Sequence, residues 1–427
     1  MSGSTKLEYA IIGGGISGMV LALALHQRGL SVTVYESAAQ FGEIGAGVGF
    51  TENVVQAMHV CHDGIHEVFE GICTHNQWPS KEHIWFDVYD ASGEDAASEH
   101  IFGVPSNFGS AGIHRARFLD GLIQMMPEGM ALNSKRFESA EKGTDGRWKI
   151  KFVDGSTATA DAVIGCDGIK SSVRRWMYGE DHPCTAPTYT YKYAYRALIP
   201  MEDAIGAIGE ERAMNCTMLM GPGAHVLTFP VDHGRICNMV AFVTSKDDWP
   251  DHHKLTRSAH HSDAQRDFQG FSRDVHKLLA LVKDDLDVWA IFHLGDNPLP
   301  HYNKSSVVLV GDAAHATSPH HGAGAGMCVE DSAVLAELLA LPEVRDARSI
   351  EKAFAVYNEV RRERDNFVVQ SSAHQGEAYE FLAPGIGKDF DRIKKEMMTR
   401  NARITDVDIR KICDDARDAL RAKLGEA

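Results

Sequence analysis

The chain has 427 residues, 44% apolar and 24% charged, an ordinary globular composition with enough apolar content for one large domain or two coupled ones. Forty-three basic against fifty-nine acidic residues leave a formal net charge of −16, which argues against a nucleic-acid-binding surface. Eight cysteines stand singly with no C-x-x-C pair, so neither a disulfide framework nor a zinc ribbon is indicated, and reduced thiols in a cytoplasmic protein are expected.

The first apolar strand begins by about Leu7, so no secretory signal is expected, and no apolar run approaches the roughly 20 residues of a membrane span. LEYAIIGGGISGMVLALALHQRGLSVTVYES then reads as strand, glycine turn, helix and second strand ending in an acid. Gly13, Gly15 and Gly18 form G-x-G-x-x-G: the first permits the tight turn, the second lets backbone approach a pyrophosphate, and the third allows close helix-strand packing. Glu36, at the tip of the second strand, can accept hydrogen bonds from both hydroxyls of an adenosine ribose and disfavours a 2′-phosphate, so an NAD-like nucleotide or FAD is expected there.

GEIGAGVGF adds a second glycine-rich loop with Gly45, Gly47 and Gly49, where Gly47 and Val48 could let a flat ring approach backbone; by itself it is only a loop signal. Residues 112–126 carry apolar residues at 118, 119, 122, 123 and 126, the spacing of a helix face, with Arg115 at its beginning, available to a phosphate or a ring edge or simply solvated. In ATADAVIGCDGIKSSVRR an apolar strand runs into Asp167-Gly168, a turn expected to face a nucleotide. TYTYKYAYRALI and HVLTFPV read as strands. The pairs His252-His253 and His260-His261 lie in a polar stretch without helical ligand spacing, so a solvated loop and no metal are expected. VVLV at 307–310 leads into GDAAHATSPHHGAGAGMC, a buried strand followed by an acid, a proline, two histidines and alternating glycines. A long helix is expected over 349–380 with Ser349 as N-cap. A last helix is expected from Thr405, with 409, 412, 413, 416, 420 and 424 on its buried face.

Four of these motifs occur in order: GGGISG at 13–18, the His114-Arg115 helix start, CDGIKSSVRR at 166–175, and GDAAH with its P-x-x-G-x-G continuation. Together they resemble the group A flavoprotein monooxygenases of the p-hydroxybenzoate hydroxylase fold, over residues 7 to about 365. PHHGAGAGMCVED, YAYRALIP at 193–200 and AHVLTFPV at 224–231 look most like salicylate hydroxylases and related fungal phenol hydroxylases. The resemblance implies that Asp312 meets the ribityl chain of FAD and that Pro319 lies beside the isoalloxazine. It implies that Gly322, Gly324, Ala325 and Gly326 open a helix whose amides face the flavin N1 and O2, where reduced flavin is anionic. It also implies a reaction in which NADH or NADPH reduces FAD, O2 adds at C4a, and the resulting hydroperoxide hydroxylates an electron-rich ring.

Arg196 is then the candidate anchor for a phenolate or carboxylate, and His225, His320 and His321 are candidate proton acceptors. Phe229 matches a position where some dearomatising relatives carry tyrosine, which favours plain hydroxylation.

The expected fold is α/β: a Rossmann-like FAD-binding domain (1–75, 105–180 and 295–365) interleaved with a β-sheet substrate domain (76–104 and 181–294), followed by C-terminal helices (366–427). The expected activity is hydroxylation of a small phenolic acid such as salicylate, with decarboxylation to a catechol if attack falls on the carboxylate-bearing carbon. Hydroxylation or dearomatisation of a polyketide-derived phenol is the alternative, and a non-catalytic FAD-fold binding protein is a third, disfavoured by Pro319 and its loop. A flavin halogenase is disfavoured by the lack of W-x-W-x-I-P. A monomer or homodimer that binds neither membrane nor nucleic acid is expected.

Overall fold

A computed structural model describes residues 6–41, 47–94 and 96–425. Gly45 of the second glycine loop lies outside the described residues. The apolar run of the Glu8–Ile12 strand is buried on both faces, as central parallel strands require. It pairs in parallel with Ser31–Tyr35 on one side and Ala162–Gly165 on the other, within a six-stranded sheet that Val307–Leu309 extends. The Ile16–Gln27 helix is buried from Ile16 to Leu25 because it is covered by the sheet and by a second helix, Gly324–Leu339.

A second, mostly antiparallel sheet of eight strands has Thr188–Pro200, Ile236–Thr244 and Ala224–Val231 as adjacent central members. Alternation gives this sheet two chemically different faces. One carries Tyr195, Met239, Ala241 and Val226 into a core closed by Met201–Ile208 and Arg273–Leu279. The other presents cross-strand rows: Trp289, Ala194, Phe242 and His225 in one, and Arg196, Val240 and Leu227 in the next.

Several local expectations shift. The 112–126 segment is the strand Ala111–His114 followed by the helix Arg115–Met125, so Arg115 is the first helical residue. The long helix runs Ala347–Tyr379, passes through position 365 without a break, and is capped by Asp346 rather than Ser349. Ser349 stands at the third helical position and returns the bond, its amide donating to Asp346 Oδ1 at 2.8 Å and its Oγ accepting from the Asp346 amide at 3.0 Å. Thr405 ends a helix, Phe390–Thr405, and the last helix is Ile409–Gly425. Its buried face is Ile409, Cys413, Ala416 and Leu420, packed on the Gly324–Leu339 and Ala347–Tyr379 helices. The paired histidines are not all in loop: Thr256–His260 is an edge strand and His260 caps the helix His261–Asp267. No helix among the described residues is long and apolar enough to cross a membrane.

A buried ion cluster locks these helices. Arg361, fully buried, reaches Glu330 Oε2 and Asp331 Oδ1, both at 2.7 Å, and Asp365 Oδ1 at 2.8 Å. Arg364 and the amide of Asn53 take the other oxygen of Glu330. Removing the guanidinium leaves three buried carboxylates short of a counter-ion. Arg361→Leu is therefore expected to cost about 3–5 kcal/mol of stability, read from urea unfolding; a loss below about 1 kcal/mol would show that the cluster is not holding the helices.

Candidate active site

A cavity of ≈ 290 Å³ opens between the two sheets. On the dinucleotide side the glycine fingerprint sets its shape. Gly13 has φ +108°, and a Cβ there would stand 2.4 Å from the Cys166 carbonyl oxygen, while a Cβ on Gly18 would meet the Gly13 carbonyl oxygen at 2.0 Å. Gly18 lets the helix close on its own turn, Gly13 lets that turn meet the end of the neighbouring Ala162–Gly165 strand, and Gly15, Ile16 and Ser17 face the cavity. Glu36 accepts from the Gly14 amide at 2.7 Å and the Ala38 amide at 2.6 Å. The oxygen bonded to Ala38 also accepts from Ser37 Oγ at 3.1 Å, so the carboxylate is fixed at the strand tip with a lone pair on Oε2 left for a ribose hydroxyl.

Gly47, Val48, Gly49, Arg115 and Asp312 also line the cavity, with Pro319, Gly322, Gly324 and Ala325. Both helices that start here, Ile16–Gln27 and Gly324–Leu339, lack a side-chain cap, so their first amides are open to a ligand. One such terminus suits a pyrophosphate and the other the anionic edge of a reduced flavin. These residues fit FAD.

Two residues expected at the cofactor serve the fold instead. The Asp167 carboxylate accepts from Ser171 Oγ at 2.5 Å and from the Ser172 and Val173 amides at 2.6 and 3.1 Å, so it is spent on the start of the helix Ser172–Tyr178. Only its neighbours Cys166 and Gly168 line the cavity. Gly326 packs against Val54, which a Cβ would meet at 2.5 Å. Arg174, fully buried, ties this turn to the next one by donating to the carbonyls of Ala313 at 2.8 Å, Thr185 at 3.1 Å and Ile169.

The opposite wall comes from the eight-stranded sheet: Arg196, Leu227, Phe229, Val240 and Phe242. Among the described residues Arg196 makes no ion pair, and its Nε is sealed without a hydrogen-bond partner. Burial, and then the nearby charge of Arg115, push its pKa down to about 10, which still leaves it cationic at neutral pH. A lone guanidinium in an apolar wall is a receptor for an anion.

None of the three histidines expected to act as bases lines this cavity. His225 lies on the same sheet face but is 1% exposed, stacked 4.6 Å from the Phe242 ring and bonded through Nδ1 to Glu380 at 3.0 Å. Glu380 in turn pairs with buried Lys192 and Thr244. Burial pushes the Glu380 carboxyl up, but its bond to His225 and the Lys192 charge outweigh that and hold it below the ordinary range. His320 points away from the cavity onto Gly376 of the long helix, and His321 bonds Ser371 at 2.8 Å. Burial holds His225 and His320 below the ordinary imidazole value and brings His321 to about 4.

Two buried groups, His225–His320–Glu380 and His315–Asp331–Asp365, bring ligand-type atoms within 4.8 Å of one another. In each a cation already holds the acids, Lys192 in the first and Arg361 in the second, so a divalent ion would add charge that nothing offsets.

A Rossmann-type turn, two uncapped helix starts and a cation-bearing apolar wall around one cavity define a flavin-dependent oxidoreductase. Comparison with known proteins agrees. Residues 131–372 match the FAD binding domain family and residues 11–90 an NAD(P)-binding Rossmann-like domain. The FAD-dependent monooxygenase pigN of Monascus ruber is 41% identical over 98% of this chain and 100% of its own length. The 6-methylsalicylate 1-monooxygenase atA of Aspergillus terreus is 39% identical over 87% of this chain and 83% of its own. A salicylate hydroxylase substrate complex superposes with a TM-score of 0.85 at 32% identity, covering 96% of this chain and 98% of that one. The chain belongs to the FAD-dependent monooxygenases, among the group A aromatic hydroxylases. FAD is its cofactor and O2 its co-substrate.

The buried imidazoles make stability depend on pH in both directions. His225, His293, His320 and His321 are held neutral in the fold and would gain protons on unfolding below about pH 6.5. Each therefore removes stability as the pH falls below that value, by at most about 1.4 kcal/mol per pH unit while the folded imidazole stays neutral. His315 acts oppositely: against the effect of burial, Asp365 and Asp331 raise it to about 9. Its contribution is complete below about pH 6.5 and is lost as the pH rises towards 9. Urea midpoints should accordingly peak near neutrality and fall by about pH 5.5. A midpoint that rises on acidification to that value would contradict the neutral assignments.

Proposed function

We propose that this enzyme uses NADH or NADPH and O2 to hydroxylate a small phenol or phenolic acid of the salicylate type, held as its anion by Arg196. The carrying observation is the lone Arg196 guanidinium in a wall otherwise made of Leu227, Phe229, Val240 and Phe242. In that low-dielectric setting a cation lowers the pKa of a bound phenol, and a phenolate is the more electron-rich acceptor for hydroxylation. The site then needs no imidazole base, which suits the distance of His225, His320 and His321 from the cavity. When bound, FAD supplies the redox and oxygen-activating chemistry. The chain orients the ring between Arg196 and the Pro319 side of the cavity and excludes water with its apolar wall.

Phe229 brings no hydroxyl to that wall, which favours an aromatic product over dearomatisation. A polyketide-derived phenol is the larger alternative substrate, and a panel of salicylates and alkylated phenols read by product mass separates the two. The division of labour we propose keeps FAD on 1–75, 105–180 and 295–365 and the substrate on 76–104 and 181–294, with 366–427 as a helical buttress.

Arg196→Gln removes a charge-assisted contact of about 1.5–3 kcal/mol, roughly ten- to a hundredfold in apparent affinity. FAD content should be unchanged. More of the NAD(P)H consumed should appear as hydrogen peroxide, because a badly held ring is hydroxylated less often. The measurement is the coupling ratio at saturating substrate. Full coupling with normal affinity would transfer the anchoring role to another residue, and loss of FAD would make Arg196 a structural group.

A further inference from the structure

The buried arginines of this fold are fixed by oxygen: Arg361 by three carboxylates, Arg174 by three carbonyls. Arg196 is fixed differently. Its guanidinium carbon stands 5.0 Å from the centroid of the Trp289 ring, and no carboxylate among the described residues pairs with it. Strand register explains the contact. Trp289 lies opposite Ala194, two residues before Arg196 on the neighbouring strand, so indole and guanidinium rise from the same face as diagonal neighbours. Trp289 is half-buried and does not itself line the cavity, whereas Arg196 does.

An aromatic face does for a cation what a carboxylate cannot. It attracts the guanidinium and fixes its plane while leaving the N–H groups and the net charge free for an incoming anion. A carboxylate in that place would compete with the substrate for the same donors. The need for a fixed plane is sharpened by Arg115, whose charge repels Arg196.

We propose that Trp289 is a positioning residue for substrate recognition: its indole holds Arg196 aimed into the cavity as an unneutralised cation. This rests on the reading of Arg196 as the anion anchor. The test is a double-mutant cycle on the FAD-loaded enzyme with Trp289→Leu, Trp289→Phe and Arg196→Gln. The probe is 4-nitrophenol, whose absorbance reports both binding and ionisation.

Trp289→Leu should weaken phenolate binding roughly three- to tenfold, with FAD content and thermal midpoint close to wild type. It should also move the ionisation of the bound probe back towards that of free 4-nitrophenol. Trp289→Phe, which keeps an aromatic face, should recover most of both effects and serves as the informative variant if the leucine protein folds poorly. In the Arg196→Gln background Trp289→Leu should add nothing.

Equal losses from Trp289→Leu with and without Arg196 would overturn the proposal, as would unchanged binding. If Arg196→Gln itself leaves binding and probe ionisation intact, or the wild type shows no spectral change up to the probe's solubility, the anchor reading falls and this inference falls with it.

Discussion

The site depends on the way one buried arginine is neutralised. Arg361 gathers Glu330, Asp331 and Asp365, and the first two acids each have a second task. Asp331 accepts from the Gly311 amide at 3.0 Å and from His315 at 2.6 Å, which fixes the turn that presents Asp312 to the cavity. Glu330 accepts from Asn53 at 2.6 Å, which seats the Glu52–Cys61 helix, including the Val54 that Gly326 must approach. The uncapped start of the Gly324–Leu339 helix is aimed by charges well inside that helix and across from it. A carboxylate cluster of this kind is costly to bury unless every oxygen is matched, so the geometry it imposes is narrow.

The molecule thus handles charge in two opposed ways. Behind the dinucleotide side, cations and acids are matched almost atom for atom, and the Lys192–Glu380–His225 set repeats that solution at the eight-stranded sheet. At the cavity wall, Arg196 is left unmatched and steadied by an aromatic ring. Matched charges give rigidity and no binding capacity, whereas the unmatched one carries the capacity to take up an anion. The rigid surroundings keep the unmatched charge from finding a local partner.

What the sequence disclosed follows from range. Gly18 is explained by contacts within one strand-turn-helix unit and Gly13 by its positive φ in that turn, so both could be assigned from spacing, although the carbonyl Gly13 approaches belongs to distant Cys166. Arg196 and the Asp312 turn were found through motif resemblance, since their surroundings come from distant segments. Asp167 misled because a carboxylate after an apolar strand can face a nucleotide or cap the next helix, and only the amides of Ser172 and Val173 decide. His320 misled for a similar reason: adjacent to Pro319 in sequence, it turns the other way into space that Gly376 leaves open, 56 residues further on. Arg361 and Asp365 gave no signal, and Glu330 and Asp331 entered only as the end of the PHHGAGAGMCVED wording, with no role read for them. Two acids in a glycine-led helix and an arginine in a polar one read as surface residues until the helices are packed.

The same limit applies to the join between the two sheets. The Gly47 amide donates to Asn238 Oδ1 at 3.0 Å, linking the second glycine loop to the eight-stranded sheet across 191 residues. A Cβ on Gly47 would meet Phe229 at 2.5 Å, and one on Gly112 would meet the same ring at 2.8 Å. Phe229 therefore packs across two paired strands, Gly47–Gly49 and Ala111–His114, while forming part of the cavity wall. Gly47 and Gly112 leave room for this ring, so the glycine loop and the wall of the eight-stranded sheet are fitted to each other. A larger residue at Gly47 would displace Phe229 and Asn238 together, and a change in the shape of the bound ring would be felt at the loop through the same contacts. Coupling between substrate binding and cofactor placement needs no further device than this shared packing.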